Sequence, residues 1–438
     1  MKVNLIETDQ PRVVIVGAGF AGVKLARKLC KLNYQVVLVD ENNFHQFQPL
    51  FYQVAMCGLE PSSVVFPLRR IFQRQKNVYI RICKVESIDT EEKALQTSLG
   101  RLNYDKLIMA TGVTTNFFGN DELARRVIPM KTINEALYLR NVILEDLEKA
   151  LSTVDYDPRQ GLIDIVIVGG GPTGVEIAGA LAEMKKYILP KEYRELDINE
   201  VDIYLIQSNK RILPHMREES SIAAEQYLRN LGVLVETGVR VSGYDGKFVQ
   251  LNDGRKIRSD KVIWAAGITG RLFKGFPEKA VARGRRLIVN EYHEVANCTD
   301  IYALGDVCTM QSAELPYGHP QVAPVAVQQA ESLAANFKRA LKSKQLKPFV
   351  YKDKGSMATI GRNKAVVDLP SFTFKGFIAW IVWLVVHLLS LIGAKNKLLV
   401  FMNWVSNYVT YDHSLRLIIK PKKRGDAMLN DELVAPKK

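Results

Sequence analysis

Residues 163–184 read IDIVIVGGGPTGVEIAGALAEM: an apolar run, a glycine-rich turn and a helical pattern in direct succession. VDIYLIQ (201–207) supplies the strand that closes this unit. The chain opens with the same order. RVVIV (12–16) leads into Gly17-Ala18-Gly19-Phe20-Ala21-Gly22, a helical pattern runs to Leu29, and YQVVLVD (34–40) follows. Each unit is later answered by a matching strand, DKLIMATG (105–112) and DKVIWAAG (260–267). Strands alternating with helical stretches predict parallel sheets covered by helices. The repeat predicts two such units.

A glycine-rich strand-to-helix turn has a specific use. Its glycines permit a tight turn, close approach of backbone to a pyrophosphate, and close helix–strand packing. The helix then offers free N–H groups and a partial positive charge to the phosphates. Asp40 ends the next strand about 20 residues on, where a carboxylate accepts from ribose hydroxyls. The second turn is Gly169-Gly170-Gly171-Pro172-Thr173-Gly174. One such turn is weak evidence, since any α/β protein has Gly-rich turns. Two in matched contexts point to two dinucleotides, and two dinucleotides imply electron transfer between them. The strand-end Gly305-Asp306 of TDIYALGD (299–306) can place a carboxylate on a ribityl hydroxyl, although alone it reads equally as a β-turn.

Composition narrows the rest. The chain has 438 residues, 47% hydrophobic and 24% charged, which suits two or more folded domains and not a disordered chain. Lys and Arg exceed Asp and Glu for a net charge of +14, yet no basic block with interleaved aromatics suggests nucleic acid. Cys30, Cys57, Cys83, Cys298 and Cys308 form no CxxC pair, so a disulfide scaffold, a metal site and a redox-active pair are not expected. The opening MKVNLIETDQP lacks the apolar run of a signal peptide.

Near residue 372 the composition changes. FIAWIVWLVVHLLSLI (377–392) is flanked by Lys375, Lys395 and Lys397, and LLVFMNWVSNYVTY (398–411) follows. Sixteen residues of helix span about 24 Å, short of the ~30 Å hydrocarbon core. Trp380, Trp383 and Trp404 suit the headgroup boundary. The second stretch sets Asn403, Ser406, Asn407 and Thr410 against Phe401, Met402, Val405 and Val409. That second stretch is expected to be an amphipathic helix lying in the interface, against a buried core or dimer pair and a spanning hairpin.

With VIVGAGFAG (14–22), FHQFQPLFYQVA (44–55), ATG (110–112), IVGGGPTGVE (167–176), AAG (265–267), YALGD (302–306) and APVAVQQ (323–329), the chain resembles the type II, non-pumping NADH:quinone oxidoreductases. The resemblance runs from residue 11 to about 420. It implies an α/β fold of two Rossmann-like, glutathione-reductase-like dinucleotide-binding domains plus a C-terminal amphipathic membrane-anchoring region. The limits read as 1–125 and 291–371 for FAD, 126–290 for NAD(P)H, 372–420 for the membrane region and 421–438 for a flexible tail.

The resemblance implies FAD at Gly17, Gly19, Gly22, Asp40, Ala110, Thr111, Gly112 and Asp306, with Phe20, Ala21 and Ala323 among the cofactor contacts. It implies NADH at Gly169, Gly171, Thr173, Gly174, Gln207, Ala266 and Gly267. Glu176 would lie beside the nicotinamide and the quinone entrance; the plainer reading is a carboxylate complementing a helix N-terminus. The implied partners are a membrane quinone and the bilayer surface, on the cytoplasmic face of the inner (plasma) membrane, with a homodimer left open. The alternatives are a ferredoxin-type reductase with a soluble partner and a non-enzymatic NAD(P)H sensor.

Two positions depart from the family pattern. Its Ala-Gln-x-Ala-x-Gln signature reads Ala323-Pro324-Val325-Ala326-Val327-Gln328, which removes one quinone donor and leaves Gln328, backbone or water to serve. The acidic residue expected on the adenosine ribose is Gln207, followed by Ser208, Asn209, Lys210 and Arg211. A carboxylate repels a 2′-phosphate and Gln does not, so relaxed NADH/NADPH discrimination is expected. His45 and His387 read as structural histidines rather than proton carriers.

Overall fold

The computed structural model describes residues 2–411 and 415–419; the tail 421–438 lies outside them. In chain order, β1 (Arg12–Val16), α1 (Phe20–Leu29), β2 (Gln35–Asp40), β3 (Val78–Ile82) and β4 (Lys106–Met109) form the first unit. The second contains β5 (Ile128–Pro129), β6 (Ile165–Val168), α2 (Pro172–Tyr187), β7 (Ile203–Gln207), β8 (Leu234–Thr237) and β9 (Val262–Trp264). The chain then returns to the first sheet with β10 (Ile301–Ala303), and α3 (Ala323–Ala340) follows.

The two sheets repeat one plan. Their spatial orders are β10-β4-β1-β2-β3 and β5-β9-β6-β7-β8, parallel throughout. Each glycine turn leaves the C-terminal end of the central strand, where the strand order reverses and ligands of such sheets bind. Both faces of β1 are covered, and Val13, Val14 and Ile15 are fully buried. This explains an unbroken apolar run in place of alternation. Helices α1 and α3 pack together over one face through Ala21, Leu25, Ala326, Ala330 and Leu333.

Two boundaries fall elsewhere than the sequence suggests. Val113–Thr115 pairs antiparallel with Ile268–Gly270, and Leu272, Phe273, Leu287 and Val289 pack under the first sheet. The second unit's core therefore stops near residue 267, not 290. The C-terminal unit starts before 372, with β11 (Ser356–Thr359), β12 (Ala365–Asp368) and β13 (Thr373–Lys375) in an antiparallel sheet. Its buried Ala358, Ile360, Val366 and Val367 join the cluster around α2. Short strands of ordinary composition carry no signal of that allegiance.

Helices α4 (Phe377–Ser390) and α5 (Ala394–Thr410) close the described chain. The first is slightly shorter than its apolar run, and the second starts before residue 398. None of the described helices is long and apolar enough to cross a membrane. Both helices turn apolar side chains outward: Ile378, Leu389, Leu398, Met402 and Val409 are exposed. Two asparagines of α5 point inward, whereas Ser406 and Thr410 are exposed. Asn396 Nδ2 donates to the Ser62, Ser63 and Val65 carbonyls at 3.0–3.2 Å, and Asn407 Nδ2 donates to Gly58 O at 2.9 Å. The pattern is inverted relative to a water-facing helix. Trp383 is not at a boundary: it is 1% exposed, inside the core.

Candidate active site

The two glycine turns are built alike, atom for atom. A Cβ on Gly17 (φ +105°) would strike the Ala110 carbonyl, and one on Gly22 would land on Gly17 O. A Cβ on Gly169 (φ +111°) would strike Ala265, and one on Gly174 would land on Gly169 O. These four glycines let strand, turn and helix close on one another. Gly19 and Gly171 differ, since nothing lies within 4 Å of a Cβ there. They face open space ahead of α1 and α2, whose first N–H groups have no side-chain cap. Each turn is thus an open cradle of the shape that suits phosphates, and a side chain at its middle glycine would fill it.

The lips of the cradles carry the remaining predicted residues. Asp40 Oδ2 accepts the Ala18 N–H at 2.7 Å and Oδ1 accepts the Asn42 N–H at 2.7 Å, which fixes the carboxylate at the end of β2. Thr111 Oγ1 donates to Arg271 O at 2.7 Å, and Gly112 takes φ +65°. Asp306 is half-buried and its carboxylate makes no hydrogen bond or ion pair among the described residues. Burial pushes its pKa up, against the pull of Lys131 and Arg286. A partly desolvated, unpartnered carboxylate at a strand end fits a ribityl hydroxyl donor. Phe20 meets His45 and Phe47 edge to face at 5.4 and 5.8 Å. Ala21, on α1, packs in the cluster shared with α3, and Ala323 is the first residue of α3.

At the second cradle, Gln207 is 8% exposed and its Oε1 accepts the Gly170 N–H at 3.0 Å. Arg211 Nη2 donates to Pro214 O at 3.2 Å, whereas its Nη1 is buried without a partner. Thr173 lies exposed in the first turn of α2, and Ala266-Gly267 lies across the turn at the end of β9.

Glu176 lies one turn into α2 and is 8% exposed. Burial pushes its pKa up to about 8, against the Thr359 backbone N–H and the Trp383 indole N–H. That indole N–H faces the carboxyl without closing a hydrogen bond, and is otherwise unpartnered. Trp383 stacks on His387 with centroids 4.0 Å apart and meets Tyr52 at 6.2 Å. So α2, β11, the short helix Phe51–Ala55 and α4 converge on one buried carboxyl. The sequence marked Glu176 but not Tyr52, Thr359 or Trp383. FHQFQPLFYQVA and the tryptophan-rich run were visible, but neither says which side chain turns inward.

Gln328 does not stand free. Its Nε2 donates to Lys352 O at 2.9 Å and its Oε1 accepts from Lys352 N at 3.0 Å, so both ends of the amide are spent on one backbone segment. The buried neighbour Gln329 accepts the Gly305 N–H at 2.7 Å and braces the Asp306 turn. His45 is buried with Nδ1 on Ala18 O at 2.9 Å, and burial lowers its pKa. His387 holds Trp383 O at 2.7 Å, and burial lowers its pKa to about 4. All five cysteines are free.

The pyridine nucleotide-disulphide oxidoreductase family model matches residues 11–330, and the NDH2 C-terminal domain model matches 354–410. The type II NADH:quinone oxidoreductase Ndh of Mycobacterium tuberculosis is 34% identical over 422 residues, covering 92% of this chain and 90% of that protein. The chain belongs to the type II NADH:quinone oxidoreductase family. A second family member, NdhA of the same organism, is 33% identical over 90% of this chain and 86% of its own length. The structure of NDH2 from Plasmodium falciparum in complex with NADH superposes with a TM-score of 0.85 at 22% identity, covering 94% of this chain and all of that one. That likeness shows the fold. The family's C-terminal model starts close to β11, which agrees with the unit seen in the packing.

Proposed function

We propose that this chain is a peripheral membrane flavoenzyme that oxidises NADH and reduces a membrane quinone, without pumping protons. FAD fits the first cradle, held by Gly17, Gly19, Gly22, Asp40, Ala110–Gly112 and Asp306. NADH fits the second, held by Gly169, Gly171, Thr173, Gly174, Gln207 and Ala266–Gly267. Bound flavin supplies the two-electron chemistry that links nicotinamide to quinone. The chain's own part is positioning and proton management. The cradles aim two nucleotides at one another, and their N–H groups neutralise the pyrophosphates.

The observation that carries this reading is the site of Glu176. Its carboxyl lies on the helix that begins at the second cradle and beneath the helix with the outward apolar stripe. With its pKa near 8 it is protonated at neutral pH, which suits a proton donor to a quinone oxygen. Gln328, with its amide spent on Lys352, positions the backbone behind α3 and does not contact quinone. The outward stripes of α4 and α5 suit an interfacial helix pair, which delivers a lipid-soluble substrate without crossing the bilayer. NADH favours the cytoplasmic face of the inner membrane. The same stripes do not serve a soluble ferredoxin-type reductase, which has no use for them.

Vesicles loaded with a menaquinone or ubiquinone analogue provide the test. The purified protein should float with them and oxidise NADH at a rate set by quinone content. Full activity with a soluble protein acceptor and no vesicle binding would replace this reading with the ferredoxin-type one.

A further inference from the structure

A cleft of about 600 Å³ opens where the turn between α4 and α5 meets the end of α1. Leu389, Ile392 and Phe66 form its apolar wall, and Arg27, Arg70 and Lys397 stand around it. The shape is built by the turn. Gly393 has φ +86°, and a Cβ there would strike the Phe66 ring, so only glycine lets the turn lie on it. Lys397 Nζ donates to Leu389 O at 2.7 Å, tying the start of α5 to the end of α4. The Arg70 guanidinium lies over Phe66 at 5.7 Å from its centroid.

The charges in the cleft are unbalanced. Lys24, one turn before Arg27, is paired with Glu331 at 2.6 Å. Among the described residues no carboxylate pairs with Arg27, Arg70 or Lys397, and no acidic residue lines the cleft. The exposed apolar residues Leu389 and Leu398 continue from it along the outward faces of α4 and α5. A ligand that fits is anionic at one end and apolar at the other. It is reached from the side that the membrane-docking reading turns toward lipid, and the inference rests on that reading.

We propose that this cleft binds the phosphate headgroup of one anionic phospholipid. Arg27, Arg70 and Lys397 surround the phosphate, and the acyl chains lie over Leu389 and Leu398. Arg suits the phosphate, because its planar donors pair two oxygens at once. The site would seat the helix pair at one depth and one rotation, which an apolar stripe alone does not do.

The test compares two full-length double variants that remove equal charge from different places. One is Arg27→Ala with Arg70→Ala. The other is Lys338→Ala with Lys342→Ala, in the separate basic cleft at the end of α3. Binding is measured to vesicles of phosphatidylcholine alone and of phosphatidylcholine with phosphatidylglycerol. The wild type should prefer the anionic vesicles by at least roughly tenfold, as expected for cations held at an anionic surface. The arginine variant should lose most of that preference, while the lysine variant keeps it. Both should oxidise NADH normally with a water-soluble quinone.

Equal loss in both variants means a diffuse basic surface and overturns the proposal, as does a preference that survives in the arginine variant. Short-chain phosphatidylglycerol is titrated against inorganic phosphate as a further arm. If phosphate binds the cleft equally well, the lipid assignment is overturned. Failure to bind vesicles of either kind strikes the membrane reading instead, and wild-type binding to neutral vesicles separates the two failures.

Discussion

Asp40 and Gln207 hold the same place in the two halves of the molecule. Asp40 accepts the N–H of Ala18, the second residue of the first glycine turn, at 2.7 Å. Gln207 accepts the N–H of Gly170, the second residue of the other turn, at 3.0 Å. The acceptor that shapes the turn is therefore retained while the charge is lost. An amide also carries an N–H₂ donor, and the buried, unpartnered Arg211 Nη1 lies four residues on.

Gln207→Glu should keep the turn and restore repulsion toward a 2′-phosphate. The NADPH/NADH ratio of kcat/KM is expected to fall by about tenfold or more, equivalent to ~1.4 kcal/mol. Arg211→Ala should lower the same ratio without affecting NADH. Steady-state kinetics with both nucleotides check this, and an unchanged ratio in Gln207→Glu refutes the reading.

Glu176 predicts a pH signature. Its pKa is about 4.5 in an unfolded chain and about 8 when folded, raised chiefly by burial. The folded state therefore holds its proton where the unfolded state has released it, and stability falls as pH rises from about 4.5 to about 8. Glu176→Gln has no such penalty. Its melting temperature relative to wild type should be higher at pH 8.5 than at pH 5. Quinone-dependent flavin reoxidation in the wild type should decline above about pH 8, and the variant should be slow and flat. A difference in melting temperature that does not change with pH would count against the buried, protonated carboxyl.

Trp383 ties the membrane-facing helix to that carboxyl. Trp383→Phe keeps the aromatic packing and removes the N–H that opposes the rise in the Glu176 pKa. The alkaline limb of the reoxidation profile should move to higher pH while flavin reduction by NADH is unchanged. Wild-type pH dependence in Trp383→Phe would show that the indole N–H has no influence there.

The second half has its own weak point. Lys261 is 2% exposed and its Nζ lies 3.2 Å from Asp146 Oδ2. Burial lowers the Lys261 pKa and Asp146 opposes that shift. Asp146→Ala should cost about 3–5 kcal/mol, because it strands a buried charge. Lys261→Met with Asp146→Leu should recover much of that loss. Urea unfolding of the three proteins decides it.

Much of this was written in the chain because its signals are local. The glycine turns, Asp40 and the DKLIMATG and DKVIWAAG strands each need particular residues at short spacing, and the structure brings them to the switch points of twin sheets. Pro324 flagged a lost donor, but the engagement of Gln328 by Lys352 depends on a loop 24 residues away, and no periodicity reports it. The inward turn of Trp383 could not be read either. Its surroundings in 377–392 are apolar except for His387 and Ser390, and one histidine a turn away does not say which face is buried. The polar stripe Asn403, Ser406, Asn407 and Thr410 holds only in part: Ser406 and Thr410 are exposed, whereas Asn407, with Asn396 three turns earlier, is tied inward. Which side the two asparagines take depends on the bare carbonyls of Ser62, Ser63, Val65 and Gly58, more than 300 residues away.

Anaerobic sequential-mixing stopped-flow tests the central claim most directly. The purified protein is mixed first with NADH and then with a quinone analogue while flavin absorbance is followed. The account predicts a yellow protein that bleaches with NADH and recovers its colour with quinone fast enough to support turnover. A protein that carries no flavin and takes up none, or one that bleaches with NADH and stays bleached with every quinone, contradicts it.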